Sequence, residues 1–264
     1  MDGEIRRTEC MTFPRSGHGL LQKLLTAYFG EERLGYCESY GNPHAMFEFD
    51  PRTRFQKNHD LDLATPRDQP DRQYLVQIRY PIESLVSWFT LACETNDRTD
   101  AAASWINFAF EKTAFWMRFY RKWVLDPLPD RLVVNYADLV DDPVTTLADV
   151  IEFLGEDAPD RERVASVCER VGIARRNTIR AFKYYGPDFF QLLEGFYAAV
   201  PGVDVRAGTL RVPSPEPKGA CIETGAVVSE LWRVSKALET LAADLNHADL
   251  ARVGGPEAVA APLA

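Results

Sequence analysis

Short apolar runs alternate along this chain with longer segments of helical periodicity, and this alternation constrains the fold more than any other feature. Strand character is seen at residues 10–13, 54–60, 74–79 and 131–136, with the second run the weakest. Helical patterns begin at Leu20 and at Pro81, and others cover residues 101–125, 142–155 and 160–171. Strands that alternate with helices form a parallel sheet covered on both faces. We therefore predict an α/β fold with a central parallel sheet flanked by helices on both faces.

Several of the predicted helices carry clear start and stop signals. Pro81 suits the first turn of a helix, where the missing N–H would be unpaired in any case. Asp142 is placed to cap the helix that begins at Pro143, and Gly155 follows the end of that helix. Gly172 ends the next helix in the same way. These signals fix the order of the elements.

Composition excludes several classes of protein. Of the 264 residues, 46% are hydrophobic and 26% are charged, which is usual for a globular protein. The net charge of -9 argues against a nucleic-acid partner, which would need a basic surface. No apolar stretch reaches the length of a membrane span, and the N-terminal MDGEIRRTE lacks the apolar core of a signal peptide. We expect no membrane span and no nucleic-acid partner.

The cysteines and histidines indicate reduced thiols and no metal site. The five cysteines are scattered, odd in number and without a C-x-x-C pair: Cys10, Cys37, Cys93, Cys168 and Cys221. This usage is typical of a cytoplasmic protein rather than a disulfide framework. The chain has four histidines and no cluster with the spacing of zinc ligands. We expect a cytoplasmic protein without a bound metal.

The last third of the chain has a different pattern. Residues 201–225 are rich in proline and glycine and show no periodicity, and a loop of that length is usually functional or disordered. A predicted helix at 227–245 follows, with an apolar stripe made of Leu231, Val234, Leu238, Leu241 and Leu245. We predict one domain over residues 1–250 with a lid loop at 201–225, and a flexible tail at 251–264.

The first candidate site is the turn PRSGHG at residues 14–19, between a strand and a helix. Backbone N–H groups at a helix start and the helix dipole favour an anion such as phosphate. Gly17 and Gly19 let the backbone approach that anion, Arg15 adds a permanent charge and Ser16 adds a hydroxyl. The alternative is a packing turn with incidental polar residues. The nucleoside-triphosphate pattern G-x-x-x-x-G-K-[ST] is absent.

Two further elements carry polar groups. In IRYPIESLVSW, Arg79 ends a strand and Ser87 lies eight residues on in a helix, so both could hold a second phosphate; a salt-bridged arginine and a structural serine are the alternative. This strand ends in arginine and not in the Mg²⁺-binding aspartate of a P-loop kinase. In FQKNHDLDL, Lys57 and His59 alternate and face one side. A lysine beside a histidine favours neutral imidazole, which suits a general base; an edge histidine and a solvated lysine are the alternative.

These segments together resemble the sulfotransferase superfamily that uses 3′-phosphoadenosine 5′-phosphosulfate (PAPS). FPRSGHGLLQKLL resembles the family loop PKSGTTWLQ, and KNHDLDL resembles the K-T-H strand. IRYPIESLVSWF keeps the R-x-P-x-x-x-x-x-S spacing, and VNYADLVDDPVTTLADVIEFLG resembles the Y-E-D-L-x-x-D-P segment. VRAGTL is a weaker match to the late R-K-G loop. The matches span about residues 10–208 and appear in the family's order.

The resemblance implies a role for each matching residue. It implies donor binding, without metal, by Arg15, Ser16, Gly17, His18, Gly19, Arg79, Ser87, Tyr136, Arg206 and Gly208. It implies catalysis by His59 as base, with Lys57 and Arg15 stabilising the leaving group. The chain departs from the family pattern where two loop threonines are His18 and Gly19, where the central threonine of K-T-H is Asn58, and where the lysine of R-K-G is Ala207.

The resemblance leaves the acceptor open. We expect sulfuryl transfer to a hydroxyl of a carbohydrate or glycolipid, or to a small-molecule alcohol or phenol. Candidate lining residues are Tyr36, Tyr40, His44, Phe47 and the segments 105–119 and 182–190, each of which could equally be core. Asp60 and Asp62 are the alternative bases. A P-loop kinase and a non-catalytic binding protein remain as other functions.

Overall fold

The structure, a computed structural model, describes residues 6–38, 52–67, 69–174, 179, 181–211 and 224–253. In the last of these ranges, side chains are described over residues 229–245. The elements discussed below belong to these residues.

A five-stranded parallel sheet forms the centre of the molecule, in the order β2-β3-β1-β4-β5. Its strands are β1 (Thr8–Thr12), β2 (Tyr36–Glu38), β3 (Phe55–Asn58), β4 (Gln73–Ile78) and β5 (Arg131–Asn135). The four strands predicted from apolar runs are all present, and the predicted fold class is confirmed. The short edge strand β2 was not predicted, because its three residues contain no apolar run.

Alternating side chains of the strands feed two separate cores, one on each face of the sheet. On β1, Met11 packs in one core and Cys10 in the other. On β4, Val76 packs with the first core and Leu75 with the second. Strands buried on both faces need continuous apolar runs, which explains why β4 reads so clearly in the sequence.

Helices cover both faces. They are α1 (His18–Phe29), α2 (Glu31–Leu34), α3 (Pro81–Glu94), α4 (Ala102–Tyr120), α5 (Tyr136–Asp141), α6 (Pro143–Phe153), α7 (Arg161–Val171), α8 (Pro187–Tyr197) and α9 (Thr224–Val253). A π-helical turn, Arg121–Leu125, extends α4. Helices α3, α4, α8 and α9 pack in the first core, and α1, α6 and α7 in the second. Of the described helices, none is both long and apolar enough to cross a bilayer.

The helix signals in the sequence act as predicted. Pro81 occupies the first turn of α3. The Asp142 side chain accepts a hydrogen bond from the backbone N–H of Thr145 at the start of α6. Gly172 follows the last residue of α7. Such caps satisfy N–H groups that the helix itself leaves unpaired.

The predicted apolar stripe of α9 is wrong at one position. Leu231 and Leu238 are buried, but Leu241 is 44% exposed and Ala242 is buried in its place. Ser235 is also buried, and its hydroxyl donates to the Ala114 carbonyl of α4 at 3.2 Å. The helix therefore turns small residues toward α4, which allows close approach, whereas the sequence analysis counted only large apolar residues.

Part of the predicted lid forms a small hairpin rather than an irregular loop. Strands β6 (Val203–Asp204) and β7 (Thr209–Leu210) pair antiparallel. The hairpin is fixed to the body of the molecule, since Asn135 donates its amide to the Leu210 carbonyl and Tyr120 donates its hydroxyl to the Pro201 carbonyl. Residues 212–223 of the predicted lid, and 254–264 of the predicted tail, lie outside the described residues.

Candidate functional site

The turn between β1 and α1 has an unusual backbone conformation. Arg15 has φ 67° and Gly17 has φ 88°, so both lie in the left-handed region. For a non-glycine residue such as Arg15 this conformation costs about 1–2 kcal/mol. Strain of this kind concentrates at ligand sites, where the surrounding structure holds it in place.

Gly17 is required by packing as well as by its φ angle. A Cβ atom at this position would lie 2.3 Å from Cδ2 of Tyr136, which is too close for any side chain. At Gly19 a Cβ would meet no atom within 4 Å. The sequence does not distinguish the two glycines, but the structure does: the Tyr136 ring packs against Gly17, whereas Gly19 leaves the surface of the turn open.

The turn also holds a buried hydroxyl with unused capacity. Ser16 is 0% exposed, and its Oγ has no hydrogen-bond partner among the described residues. A buried polar atom in this condition needs an explanation, such as a ligand. The first backbone N–H groups of α1, at His18 and Gly19, have no partner within the helix. The turn therefore offers several donors to one anion.

Arg15, Arg79, Ser87 and Tyr136 meet beside this turn. The Arg15 Nε donates to Ser87 Oγ at 3.0 Å, and an Arg79 Nη donates to the Arg15 carbonyl at 3.4 Å. The Arg79 guanidinium lies over the Tyr136 ring, with Cζ 4.4 Å from the centroid. Arg79 Nε also donates to Glu83 at 2.9 Å, so its salt bridge and its place in the site coexist.

The Ser87 hydroxyl can still donate a hydrogen bond in this arrangement. Its oxygen accepts from Arg15, and a serine hydroxyl can donate its own hydrogen at the same time. The two arginines and this hydroxyl therefore form a cationic corner next to the turn. Four of the residues selected from the sequence are brought together here.

His59 lies just after β3, with a defined tautomer. Its Nδ1 is 2.7 Å from the Thr12 carbonyl, which can only accept, so Nδ1 carries the hydrogen. In the neutral ring, Nε2 then holds the lone pair. Burial lowers the pKa of His59 below its ordinary value, and nearby Lys57 lowers it further, although the Thr12 hydrogen bond acts in the opposite direction. The imidazole of His59 is therefore neutral near pH 7.

Lys57 belongs to a hydrogen-bonded row across the sheet. Its Nζ lies 3.2 Å from Glu38 Oε1, and the Tyr36 hydroxyl donates to the same oxygen at 2.6 Å. The strand register pairs Glu38 with Lys57 and Lys57 with Cys10, which places the three side chains on one face. Glu38 was missed by the sequence analysis, because nothing in the sequence marks β2 as a neighbour of β3.

The His18 side chain belongs to this hydrogen-bonded row and does not point into the turn at residues 14–19. Its Nε2 is 3.0 Å from the Tyr36 hydroxyl and its Nδ1 is 3.6 Å from Cys10 Sγ. Since Tyr36 donates to Glu38, it accepts from His18, and Nδ1 then accepts from the thiol. Burial lowers the pKa of His18 to about 3, with Lys57 and His59 contributing. The ring is neutral, and both its nitrogens are engaged on the side of the sheet.

The carboxylates of Asp60 and Asp62, the alternative bases proposed from the sequence, accept hydrogen bonds from neighbouring protein groups. Asp60 is buried and accepts from Lys122 Nζ at 2.7 Å and from the Trp123 indole at 2.8 Å. Asp62 accepts from the Ala64 backbone in an exposed turn. The carboxylate whose charge acts on His59 is Glu38. Among the described residues, no group of three or more potential ligands could hold a metal ion.

Arg206 and Gly208 lie between the two strands of the hairpin. Arg206 is exposed, and its backbone N–H donates to Asp204. The hairpin is bonded to Asn135, the residue before Tyr136, which attaches it to the β5 end of the sheet. The structure shows no direct contact between the described side chain of Arg206 and the cationic corner, so its role at the donor stays a prediction.

Most of the aromatic residues named for the acceptor pocket are core. The Trp105 ring packs 4.7 Å from Phe182 and 6.1 Å from Phe190, centroid to centroid. Phe115 and Phe119 pack against Phe13. Tyr36 belongs to the hydrogen-bonded row at Glu38, and Tyr40, His44 and Phe47 lie outside the described residues.

Comparison with known proteins identifies the fold. No protein-family model matches the sequence, and no curated protein matches it. Among solved structures, mouse sulfotransferase SULT7A1 complexed with PAP is similar, with a TM-score of 0.52 and 16% identity over 79% of this chain and 89% of that one. Retinol dehydratase in a complex with retinol and PAP has a TM-score of 0.50 and 15% identity over 79% and 84%.

Proposed function

We propose that this chain, which has the fold of the sulfotransferases, transfers the sulfuryl group of PAPS to an acceptor hydroxyl. One observation supports the proposal: the neutral imidazole of His59 and the cation of Lys57 lie at the same carboxyl end of the sheet as the strained turn with its unpartnered Ser16 hydroxyl. The PAP in two proteins of the same fold supports the donor.

The proposed reaction is an in-line displacement at sulfur. The acceptor oxygen attacks sulfur while His59 Nε2 takes its proton. The bond between sulfur and the bridging phosphate oxygen breaks, and the electron pair leaves with the nucleotide. Arg15 and Lys57 stabilise the charge that develops on that oxygen. Each of these groups is fixed before reaction, Lys57 by Glu38 and His59 by Thr12.

The remaining residues hold the nucleotide. The 5′ end occupies the turn from Arg15 to Gly19, where Ser16 and the first N–H groups of α1 donate. Arg79 and Ser87 bind the 3′-phosphate, with Arg206 and Gly208 closing from the hairpin, and Tyr136 lies beside the purine. Binding energy spent on this remote phosphate orients the sulfuryl group. No metal ion takes part.

The acceptor in this proposal is a hydroxyl of a carbohydrate or glycolipid, with a small-molecule alcohol or phenol as the alternative. The retinol held by one protein of this fold is an alcohol, which supports a hydroxyl acceptor in general. The proposed place of action is the cytoplasm, which is supported by the scattered and odd-numbered cysteines of the sequence.

Isotope transfer tests this proposal. Donor labelled with ³⁵S is incubated with the protein in EDTA and a panel of sugars, glycolipids, alcohols and phenols. We expect label on at least one acceptor, lost in Lys57→Ala and in His59→Ala. A wild-type protein that binds the nucleotide but transfers no label to any hydroxyl class, even with extracts of a producing cell, would contradict catalysis and favour a binding protein.

A further inference from the structure

A buried polar network lies behind His59, on the other face of the sheet. Successive residues of a strand point to opposite faces, so the Asn58 side chain points away from the face of Lys57. The Asn58 amide group donates to Glu9 Oε1 at 2.7 Å and to Thr65 Oγ1 at 3.0 Å. All three members of this group are buried. The end of β3, directly before the proposed base, is therefore anchored from the face opposite to Lys57.

The backbone turns sharply directly after His59. Asp60 has φ 45° and Leu63 has φ 57°, so both lie in the left-handed region, which is uncommon for residues other than glycine. Asn58 Oδ1 accepts a hydrogen bond from the Asp60 N–H at 2.8 Å, which closes a turn with His59 at its centre. The Leu63 N–H donates to the Asp60 carbonyl at 2.9 Å. The position of the imidazole therefore depends on the contacts that hold Asp60 in this conformation.

The ammonium group of Lys122 makes most of these contacts. An ammonium has three hydrogens to donate, and here they go to Asp60 Oδ2 at 2.7 Å, to the Leu63 carbonyl at 2.8 Å and to the Thr65 carbonyl at 2.7 Å. The Asp60 carboxylate also accepts from the Thr65 N–H at 2.8 Å, through Oδ1. One cation therefore holds the chain from Asp60 to Thr65 in a closed loop.

The π-helical turn at the end of α4 brings two consecutive residues to the same carboxylate. Consecutive residues of an α-helix point about 100° apart. In this turn, however, Lys122 Nζ and the Trp123 indole both donate to Asp60 Oδ2, the indole at 2.8 Å. Such π-helical turns are rare and often occur at functional sites. Both oxygens of Asp60 are engaged by protein donors, so this carboxylate is suited to holding the loop rather than to taking a proton from an acceptor.

We propose that Asp60 and Lys122 are positioning residues for His59. The inference rests on the proposed function, because it assumes that His59 is the base. The loop they form keeps the His59 Nδ1–H on the Thr12 carbonyl, at 2.7 Å, and this contact leaves Nε2 without a hydrogen. A loop without its central cation would let the ring leave Thr12 and adopt either tautomer.

NMR spectra of the imidazole, recorded on the full chain near pH 7 without donor, test this positioning. Long-range ¹H–¹⁵N correlations distinguish the Nδ1–H tautomer from the Nε2–H tautomer, and the signals are assigned by their loss in His59→Gln. We expect the Nδ1–H tautomer in the wild type and a mixture of both tautomers in Lys122→Met. Lys236→Met, which removes a half-exposed lysine paired with Glu239 on α9, should leave the signals unchanged.

A second variant guards against unfolding. Lys122→Met leaves a buried carboxylate without its cation, whereas Asp60→Asn/Lys122→Met removes both charges together, which proteins tolerate better. Asparagine also accepts the left-handed backbone at position 60. The double variant loses the same ammonium contacts to the loop, so we expect the same mixture of tautomers. A wild-type tautomer in either folded variant would overturn the proposal.

Steady-state kinetics separate positioning from a general loss of structure. With a hydroxyl acceptor, kcat of Lys122→Met should fall about tenfold or more, because small displacements of a reacting group are costly. The affinity for adenosine 3′,5′-bisphosphate should change less than twofold, and an equal loss of kcat and nucleotide affinity would contradict positioning. If the wild type sulfates no hydroxyl, the proposed function fails, whereas the spectra still decide whether Asp60 and Lys122 position His59.

Discussion

Replacing Gly17 with alanine should destabilise the protein strongly, because two separate costs act at that position. The backbone is left-handed, with φ 88°, which costs an alanine about 1–2 kcal/mol. The new Cβ would also lie 2.3 Å from the Tyr136 ring, and overpacking of this kind costs about 1–3 kcal/mol. We expect a loss of about 2–5 kcal/mol in the free energy of unfolding, measured by urea denaturation.

Gly19→Ala is the matched control. Gly19 has an ordinary helical φ and open space around it, and alanine favours helix by up to about 1 kcal/mol over glycine. Its stability should therefore be unchanged or higher. If the donor approaches the backbone at Gly19, the same variant should bind adenosine 3′,5′-bisphosphate more weakly although it is fully folded.

A double-mutant cycle isolates the contact with the ring. In a Tyr136→Ala background the overpacking disappears and only the backbone cost of Gly17→Ala remains. The cycle should give a coupling of about 1–3 kcal/mol. A Gly17→Ala protein as stable as wild type, or a cycle with no coupling, would refute the packing of Gly17 against Tyr136.

Three further predictions concern the residues around Lys57. His59→Ala should lower turnover about 10²-fold or more with nucleotide affinity unchanged. Because burial lowers the pKa of His59, wild-type turnover should persist below pH 6.5 and decline only as the imidazole becomes protonated. A decline centred above pH 6.5 would contradict a buried His59. Glu38→Gln should tighten bisphosphate binding about two- to fivefold by calorimetry, since it releases Lys57 from a partly exposed pair worth about 0.5–1 kcal/mol, and weaker binding would argue against the pair as described. His18 has a pKa of about 3 in the folded protein against 6.5 in the unfolded chain, so its contribution to stability is complete above pH 6.5 and is lost as pH falls toward 3. His18→Gln should therefore flatten the fall in the free energy of unfolding over that range, measured by urea titration. An unchanged slope would contradict a buried neutral ring.

The sequence predicted the sheet and the turn because the signals for both are local. The apolar run of β4, the cap at Asp142 and the glycines of the turn each act within a few residues. The sequence places Arg79 at the end of a strand and Ser87 two turns into the next helix, and the structure brings both of them next to Arg15. These features needed no knowledge of which strands are neighbours.

What the sequence did not predict depends on the order of the strands and on distant packing. Glu38 reaches Lys57 because β2 pairs with β3, and a three-residue edge strand leaves no pattern to recognise. His18 looked like a loop ligand, and only the position of Tyr36 shows that its ring faces the sheet. The aromatic residues of segment 182–190 were ambiguous in the sequence. Ring contacts with Trp105 show that Phe182, Phe189 and Phe190 pack with the core, whereas Tyr185 is exposed.

Calorimetry in EDTA shows whether this site binds a nucleotide by two separate phosphates without metal. Adenosine 3′,5′-bisphosphate should bind, and adenosine 5′-monophosphate should bind at least tenfold more weakly, because loss of one charge-assisted phosphate contact costs about 1.5–3 kcal/mol. Arg79→Gln should remove most of that difference. Equal affinity for the two nucleotides in the wild type, or binding that requires Mg²⁺, would rule out the proposed pair of phosphate sites.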